Sequence, residues 1–292
     1  MSLWQQIEQD LSELSGRPFR IMHKHGIGGG SINHAFRISD GDRQFFVKTN
    51  HQHLAYMFEA EARGLQELYA SHSIKVPQPI CHGVAGDECY FVMSWLELTG
   101  QPDGELFGRR MAELHRHTHD QFGFHIDNTI GSTPQVNPWS DDWIEFWQQQ
   151  RLGYQLELAH KNGFGRRLYD RGQQLREKTP AFFRGYQPPP SLLHGDLWSG
   201  NWAADSQGNP VIFDPASYYG DREADLAMMQ LFGHPGQRFL AAYNEHYALD
   251  DDHTLRKDFY NLYHILNHAN LFGSSYAMQA ERMIDSLLAV VA

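Results

Sequence analysis

A chain that carries LLHGDLWSGN at 192–201 and VIFDPA at 211–216 must bring two acidic residues and an asparagine close together. Asp196 and Asn201 are five residues apart, and Asn201 and Asp214 thirteen. Each acid follows a short apolar run, Leu192-Leu193 or Val211-Ile212-Phe213, of the kind that forms a buried strand. Loops leaving two such strands can hold one carboxylate base and two oxygen ligands for a magnesium ion in one cleft. Separately, His-Gly-Asp is a turn and Asp-Pro a loop start. Together, at this spacing, they are the parts of ATP-dependent phosphoryl transfer, where a protein mostly positions groups and neutralises charge.

The N-terminal third reads as a sheet with one helix inserted. Residues 2–14 form an amphipathic helix pattern ended by Gly16 and Pro18. Strand patterns follow at 19–25, 33–39 and 43–49, then a helix at 54–70, then strands at 79–84 and 88–94. From 102 onward the pattern is helical, at 103–118, 140–159, 164–178, 221–232, 236–246 and 253–272. Short strands at 191–194 and 211–214 interrupt it. The expected fold is α+β with two lobes. An N-lobe (1–94) is a five-stranded antiparallel sheet with an inserted helix, and a C-lobe (95–292) is mostly helical. Met93, Ser94, Trp95 and Leu96 lie at the junction.

The N-lobe supplies candidates for a phosphate site. Gly28, Gly29, Gly30 and Ser31 lie between two strands, where glycines let backbone N–H groups approach phosphate without a Cβ clash. Lys48 sits in the apolar strand FFVKT, where an unpaired buried ammonium would be costly. Glu59 and Glu61 are its candidate partners. Both cannot point inward from one helix, and Glu61 is favoured because Gly64 and Leu65 continue its face.

These stretches resemble the protein-kinase-like phosphotransferases, and more narrowly the fructosamine kinase (ketosamine-3-kinase) family. The narrower resemblance rests on GGGSINHAFRI, VKTN, FEAEARGL, FGFHIDNTIGSTPQVNPW, DDWIEFWQQQRLGYQL, LLHGDLWSGNWA and FDPASYYGDREADLAMM. It implies a kinase-like fold and ATP- and magnesium-dependent phosphorylation of a ketosamine at its 3-hydroxyl, after which the 3-phosphate decomposes and frees the amine. It also implies Asp196 as general base, Asn201 and Asp214 on magnesium, and Lys48 with Glu61 on the phosphates. The backbone of Ser94 to Leu96 would meet adenine. Some relatives carry a cysteine in the glycine-rich loop; here the loop has none.

Other features narrow the substrate. Gly195 stands where a protein kinase has the arginine that reads a phosphorylated loop, Asp214 is followed by Pro215-Ala216 and not by Phe-Gly, and the short chain from Asp214 to the next helix near Asp221 leaves no room for an activation segment. The acceptor is then a small ketosamine or a glycated lysine protruding from a protein. Trp198 and Tyr218 are candidates to frame the sugar, as aromatic faces do. Asp221 is a candidate for a substrate ammonium, with helix capping as the plainer reading. Asp225 is expected to brace the catalytic loop. Other outcomes are a kinase for an aminoglycoside- or choline-like alcohol, or a nucleotide-binding scaffold without turnover.

Composition bounds the remainder. A net charge of -11 argues against nucleic-acid or anionic-membrane partners, and no apolar run reaches the roughly 18 residues of a span. The N-terminal stretch is an amphipathic helix pattern with acids and not a signal peptide, so a cytoplasmic location is expected, and Cys81 and Cys89, the two cysteines, then read as reduced thiols. A monomer or homodimer fits. Among the 18 histidines, His115 and His119 could share a helix face. No HExxH or CxxC companion supports zinc, so they read as polar helix-end residues.

Overall fold

The computed structural model describes residues 1–28 and 33–291. It begins with helix α1 (Leu3–Ser15), whose Ser2 cap and Gln5 form a capping box. A five-stranded antiparallel sheet follows: β1 (His23–Ile27), β2 (His34–Ser39), β3 (Gln44–His51), β4 (Pro79–Ala85) and β5 (Glu88–Ser94). The strand order is β1-β2-β3-β5-β4, with α2 (Ala55–Ala70) inserted after β3. The first strand starts later than the 19–25 pattern suggests. Phe19 turns into the core instead, edge-on to Phe45.

Strand alternation divides the sheet between two helices. Ile38, Val47, Tyr90 and Val92 pack on Leu3, Ile7 and Leu11 of α1. Phe91 and Met93 face the other way, onto Phe58, Leu65 and Leu68 of α2. Lys48 pairs with Phe91 in the ladder and lies on this α2 face. The same apolar cluster continues into the C-terminal part through Phe107, Met111, Leu192 and Ile212, so the two lobes share a core.

The C-terminal part opens with β6 (Leu98–Thr99), α3 (Gly104–Leu114) and the hairpin β7 (Asn128–Ile130) and β8 (Thr133–Gln135). The expected helix at 140–159 is three pieces: α4 (Trp143–Phe146), a π-helix (Trp147–Gly153) and α5 (Tyr154–Lys161). A Cβ at Gly153 would lie 2.5 Å from the Gln148 carbonyl, so glycine accommodates the wider turn. Then come α6 (Arg166–Glu177), β9 (Ser191–Leu193), β10 (Trp202–Asp205), β11 (Pro210–Ile212), β12 (Tyr218–Gly220), α7 (Glu223–Leu231), α8 (Gln237–His246), α9 (His253–Phe272) and α10 (Ser274–Val290). Helix α10 goes beyond the sequence expectation; Gly273, at φ 101°, separates it from α9. Both cysteines are free. Among the described residues, no helix is long and apolar enough to cross a membrane.

Helix α9 contributes a buried histidine with a measurable consequence. Burial, with His268 nearby, pushes His264 down from its ordinary 6.5 to about 3. The folded protein therefore holds it neutral while the unfolded chain protonates it below pH 6.5. Its contribution to stability is complete above that pH and lost as pH falls through the window from 6.5 to 3. Relative to His264→Leu, the native protein should lose about 1.4 kcal/mol more between pH 7.5 and 5.5. Urea unfolding of both proteins at the two pH values measures this; parallel losses would show that the ring protonates in place.

Candidate active site

The strand end at β9 is built so that Asp196 has one position. Asp225 of α7 accepts from the backbone N–H groups of His194 (2.7 Å) and Gly195 (2.8 Å). Burial works against the charge on Asp225, but the hydrogen bonds from His115 and the Gly195 amide outweigh it and lower its pKa. His194 is fully buried and held neutral by that burial. Its Nδ1 accepts from the Asp196 N–H (3.2 Å), which assigns the proton to Nε2, 2.9 Å from the Phe213 carbonyl. One imidazole thus ties the Asp196 loop to the strand leading into Asp214. Gly195 has φ 83°, and a Cβ there would meet the Ala216 carbonyl at 2.1 Å, so only glycine fits.

Asp214 itself takes φ 57°, one of two non-glycine residues with positive φ among those described. Such strain persists where the surroundings enforce it. Here Phe213 donates to the Asn201 carbonyl at 3.0 Å, and Ala216 donates to the His194 carbonyl at 2.9 Å. The Asn201 side-chain N–H₂ donates to the Asp196 carbonyl (2.8 Å) and lies 3.3 Å from its Oδ2. Burial first, then the charge of Asp214, pushes Asp196 up to about 7.

Lys48 crosses between the lobes. Its Nζ donates to Glu61 Oε1 (2.7 Å) and Asp214 Oδ1 (2.8 Å). Burial opposes the ammonium, but the two carboxylates more than offset it and raise its pKa. Burial pushes Glu61 up to about 7 despite Lys48. Glu59 faces solvent on the other side of α2. Helix α2 comes this close to the site because of Gly64, where a Cβ would sit 3.1 Å from Ser217 Oγ.

The oxygens suit magnesium. The Asn201 nitrogen is committed to Asp196, which leaves its oxygen for a cation, and Asp214 is half-exposed. Among the described residues, no three His, Cys, Asp or Glu side chains converge on one point. Two side-chain oxygens beside a polyphosphate are what magnesium takes when substrate phosphates and water complete its ligands.

Other candidates are placed differently. Gly28 follows β1, while Gly29, Gly30 and Ser31 lie outside the described residues. Met93 is buried, and Trp95 stacks on Phe46. The Ser94 N–H donates to the Gln78 carbonyl at 2.9 Å, so it is not available to an adenine edge. Trp198, beside Asp196, is exposed. Tyr218 is not a sugar platform: its ring is buried on Phe146 and covered by the Arg151 guanidinium at 4.1 Å. Nor can Asp221 meet a substrate ammonium. It is fully enclosed, accepting from Tyr186 (3.0 Å), Tyr260 (2.6 Å) and the Glu223 N–H (3.0 Å). Burial pushes it up to about 7, which weakens its charge further. His115 is not a solvated helix-end residue either. It is fully buried between Tyr243 (2.8 Å) and Asp225 (3.3 Å), a brace the sequence did not disclose.

Comparison with known proteins places this arrangement. The fructosamine kinase family model matches residues 3–290. A probable ketoamine kinase of Synechocystis sp. is 44% identical over 290 residues, covering 98% of this chain and 97% of its own length. The chloroplastic protein-ribulosamine 3-kinase of Arabidopsis thaliana is 43% identical over 277 residues, covering 94% of this chain and 85% of its own. The crystal structure of a Haemophilus somnus protein assigned as a fructosamine-3-kinase superposes with a TM-score of 0.88 at 30% identity, covering 98% of this chain and 100% of that one. An aminoglycoside phosphotransferase shares the two-lobed kinase-like fold at a TM-score of 0.64 and 14% identity, covering 99% of each chain. The chain belongs to the fructosamine kinase family, whose members are ATP-dependent kinases.

Proposed function

We propose that this protein transfers the γ-phosphoryl group of ATP to the 3-hydroxyl of a ketosamine, either a small molecule or a glycated lysine. The observation that carries the reading is the convergence of Lys48, Glu61, Asp214, Asn201 and Asp196 across the two lobes of a fructosamine kinase family chain. Relatives named as a ketoamine kinase and a protein-ribulosamine 3-kinase support the substrate class.

In this reading residues 1–94 present the nucleotide and residues 95–292 the catalytic loop and acceptor. Gly28, Gly29, Gly30 and Ser31 are the residues assigned to the phosphates on the strength of their sequence. Lys48, held by Glu61, meets them with its ammonium. The Ser94 carbonyl and the Trp95 and Leu96 peptides take the adenine edge below Met93. Asp214 and Asn201 hold magnesium, which when bound neutralises the polyphosphate. Asp196 accepts the proton of the 3-hydroxyl as that oxygen forms its bond to the γ-phosphorus and the bond to the ADP oxygen breaks. A pKa near the working pH suits a carboxylate to this role. Exposed Trp198, beside Asp196, offers an aromatic face to the sugar.

Substrate profiling tests the assignment. Ribulosyl-, erythrulosyl- and fructosyl-lysine are offered beside aminoglycosides and choline, with ADP release as the signal. Turnover on a ketosamine is expected. Silence on all three with fast phosphorylation of an aminoglycoside or choline would move the protein to another small-molecule kinase class.

A further inference from the structure

The hairpin region 122–140 is outside the kinase parts described so far, yet it buries Asn128, Thr133, Gln135 and Asn137. Buried amides need partners, and those of Gln135 are specific. Its Nε2 donates to the Ala216 carbonyl (3.1 Å) and to Asn128 Oδ1 (2.8 Å), and its Oε1 accepts from the Tyr263 hydroxyl (2.7 Å). Asn128 in turn donates to the Ser217 carbonyl at 2.8 Å. Two consecutive carbonyls, two and three residues after Asp214, are therefore held by side chains of this hairpin.

The Ala216 peptide is also the joint between the two halves of the site. Its N–H donates to the His194 carbonyl, and its oxygen lies against Gly195, beside Asp196. A shift of this peptide would alter the separation of Asp196 and Asp214. We propose that Gln135, backed by Asn128, is a positioning residue for phosphoryl transfer, pinning the Ala216 carbonyl so that the base and the strained Asp214 keep one relative geometry. This rests on the roles given to Asp196 and Asp214 above. A buried amide that only stabilised the hairpin would have no such coupling to turnover.

The test separates positioning from stability. Gln135→Met keeps length but removes the donor. Asn267→Leu removes a different anchor of the same hairpin, the donor to the Ile130 carbonyl (3.2 Å), without touching residues 214–217. Gln135→Met should lower kcat about 10- to 100-fold, the scale of a small misplacement, with the ketosamine KM within about threefold. Asn267→Leu should keep kcat per folded molecule within about threefold even where its melting temperature falls as far. If Gln135→Met does not fold, Tyr263→Phe, which frees the Gln135 oxygen, should lower kcat in the same direction. Equal losses in the Gln135 (or Tyr263) and Asn267 variants, or an unchanged kcat in the former, would overturn the proposal. Slow ATP hydrolysis to water is measured in parallel. If the wild type acts on no ketosamine, the substrate reading fails while the hydrolysis ratios still decide the role of Gln135.

Discussion

Replacing Lys48 by methionine should leave a folded protein whose phosphoryl transfer is crippled. The methionine stem fills the space of the lysine stem on the α2 face of the sheet. What disappears is the ammonium between Glu61 and Asp214. Glu61, already pushed up to about 7 with the lysine present, can take a proton, so the lost partner does not strand a buried charge. The phosphates, however, lose a preorganised cation. Removing a single such electrostatic contact costs roughly 10²–10³ in rate. Circular dichroism should look native while ADP production falls by that factor. Activity within threefold of wild type would remove Lys48 from the chemistry.

The largest effect on stability should come from Arg256→Met. Arg256 of α9 makes a two-pronged pair with Glu223 of α7, at 2.8 and 3.0 Å, with side chains 1% and 3% exposed. Its guanidinium also lies 3.9 Å over the Tyr186 ring and reaches Asp250. Removing the cation leaves the Glu223 carboxylate enclosed without its counter-charge. Breaking a buried pair from one side costs about 3–5 kcal/mol. For a chain of this size the melting temperature should drop by roughly 5–8 °C. Adding Glu223→Gln should recover part of the loss, because the stranded charge is gone. A double variant less stable than Arg256→Met alone would contradict this account. Helix α7 also carries Asp225, so the variant tests how firmly the base of the Asp196 loop is held.

The parts of this fold that were legible in the sequence are those set by local periodicity. Alternation marked β2 to β5, and a repeating apolar face marked α2, with Glu61 and Gly64 both on the side that approaches the site. The spacing of Asp196, Asn201 and Asp214 pointed to their meeting, whereas for Lys48 the helix face favoured Glu61 over Glu59 and left both open until the fold brought Glu61 to it. What was not legible depends on distant neighbours. Strand β12 exists because Tyr218 and Tyr219 pair with Leu193 and Leu192, and nothing in SYYG alone signals that. The same pairing turns Tyr218 inward under Arg151 and removes it from any sugar. Asp221 looked like a charge at a helix start, but two tyrosine hydroxyls from elsewhere in the chain enclose it. His115 reads as a polar helix-end residue and nothing in the sequence sets Gln135 apart, because their partners lie 110 and 81 positions away. Helix α10 is different: Ala277, Ala280, Ile284, Leu287 and Leu288 show a helical spacing that was there to be read.

In the proposed reaction Asp196 serves as base toward a ketosamine 3-hydroxyl. The most direct measurement follows the product by ³¹P and ¹³C NMR while wild type and Asp196→Asn are incubated with ATP, magnesium and ribulosyl- or fructosyl-lysine, with nucleotide binding measured alongside. Asparagine keeps the shape and removes the proton acceptor, and a positioned base is worth roughly 10²–10⁴ in rate. The wild type should form a ketosamine 3-phosphate one-for-one with ADP. Asp196→Asn should form it at least a hundredfold more slowly, with ATP still bound. Phosphate on another hydroxyl, or equal rates in the two proteins, would contradict this role.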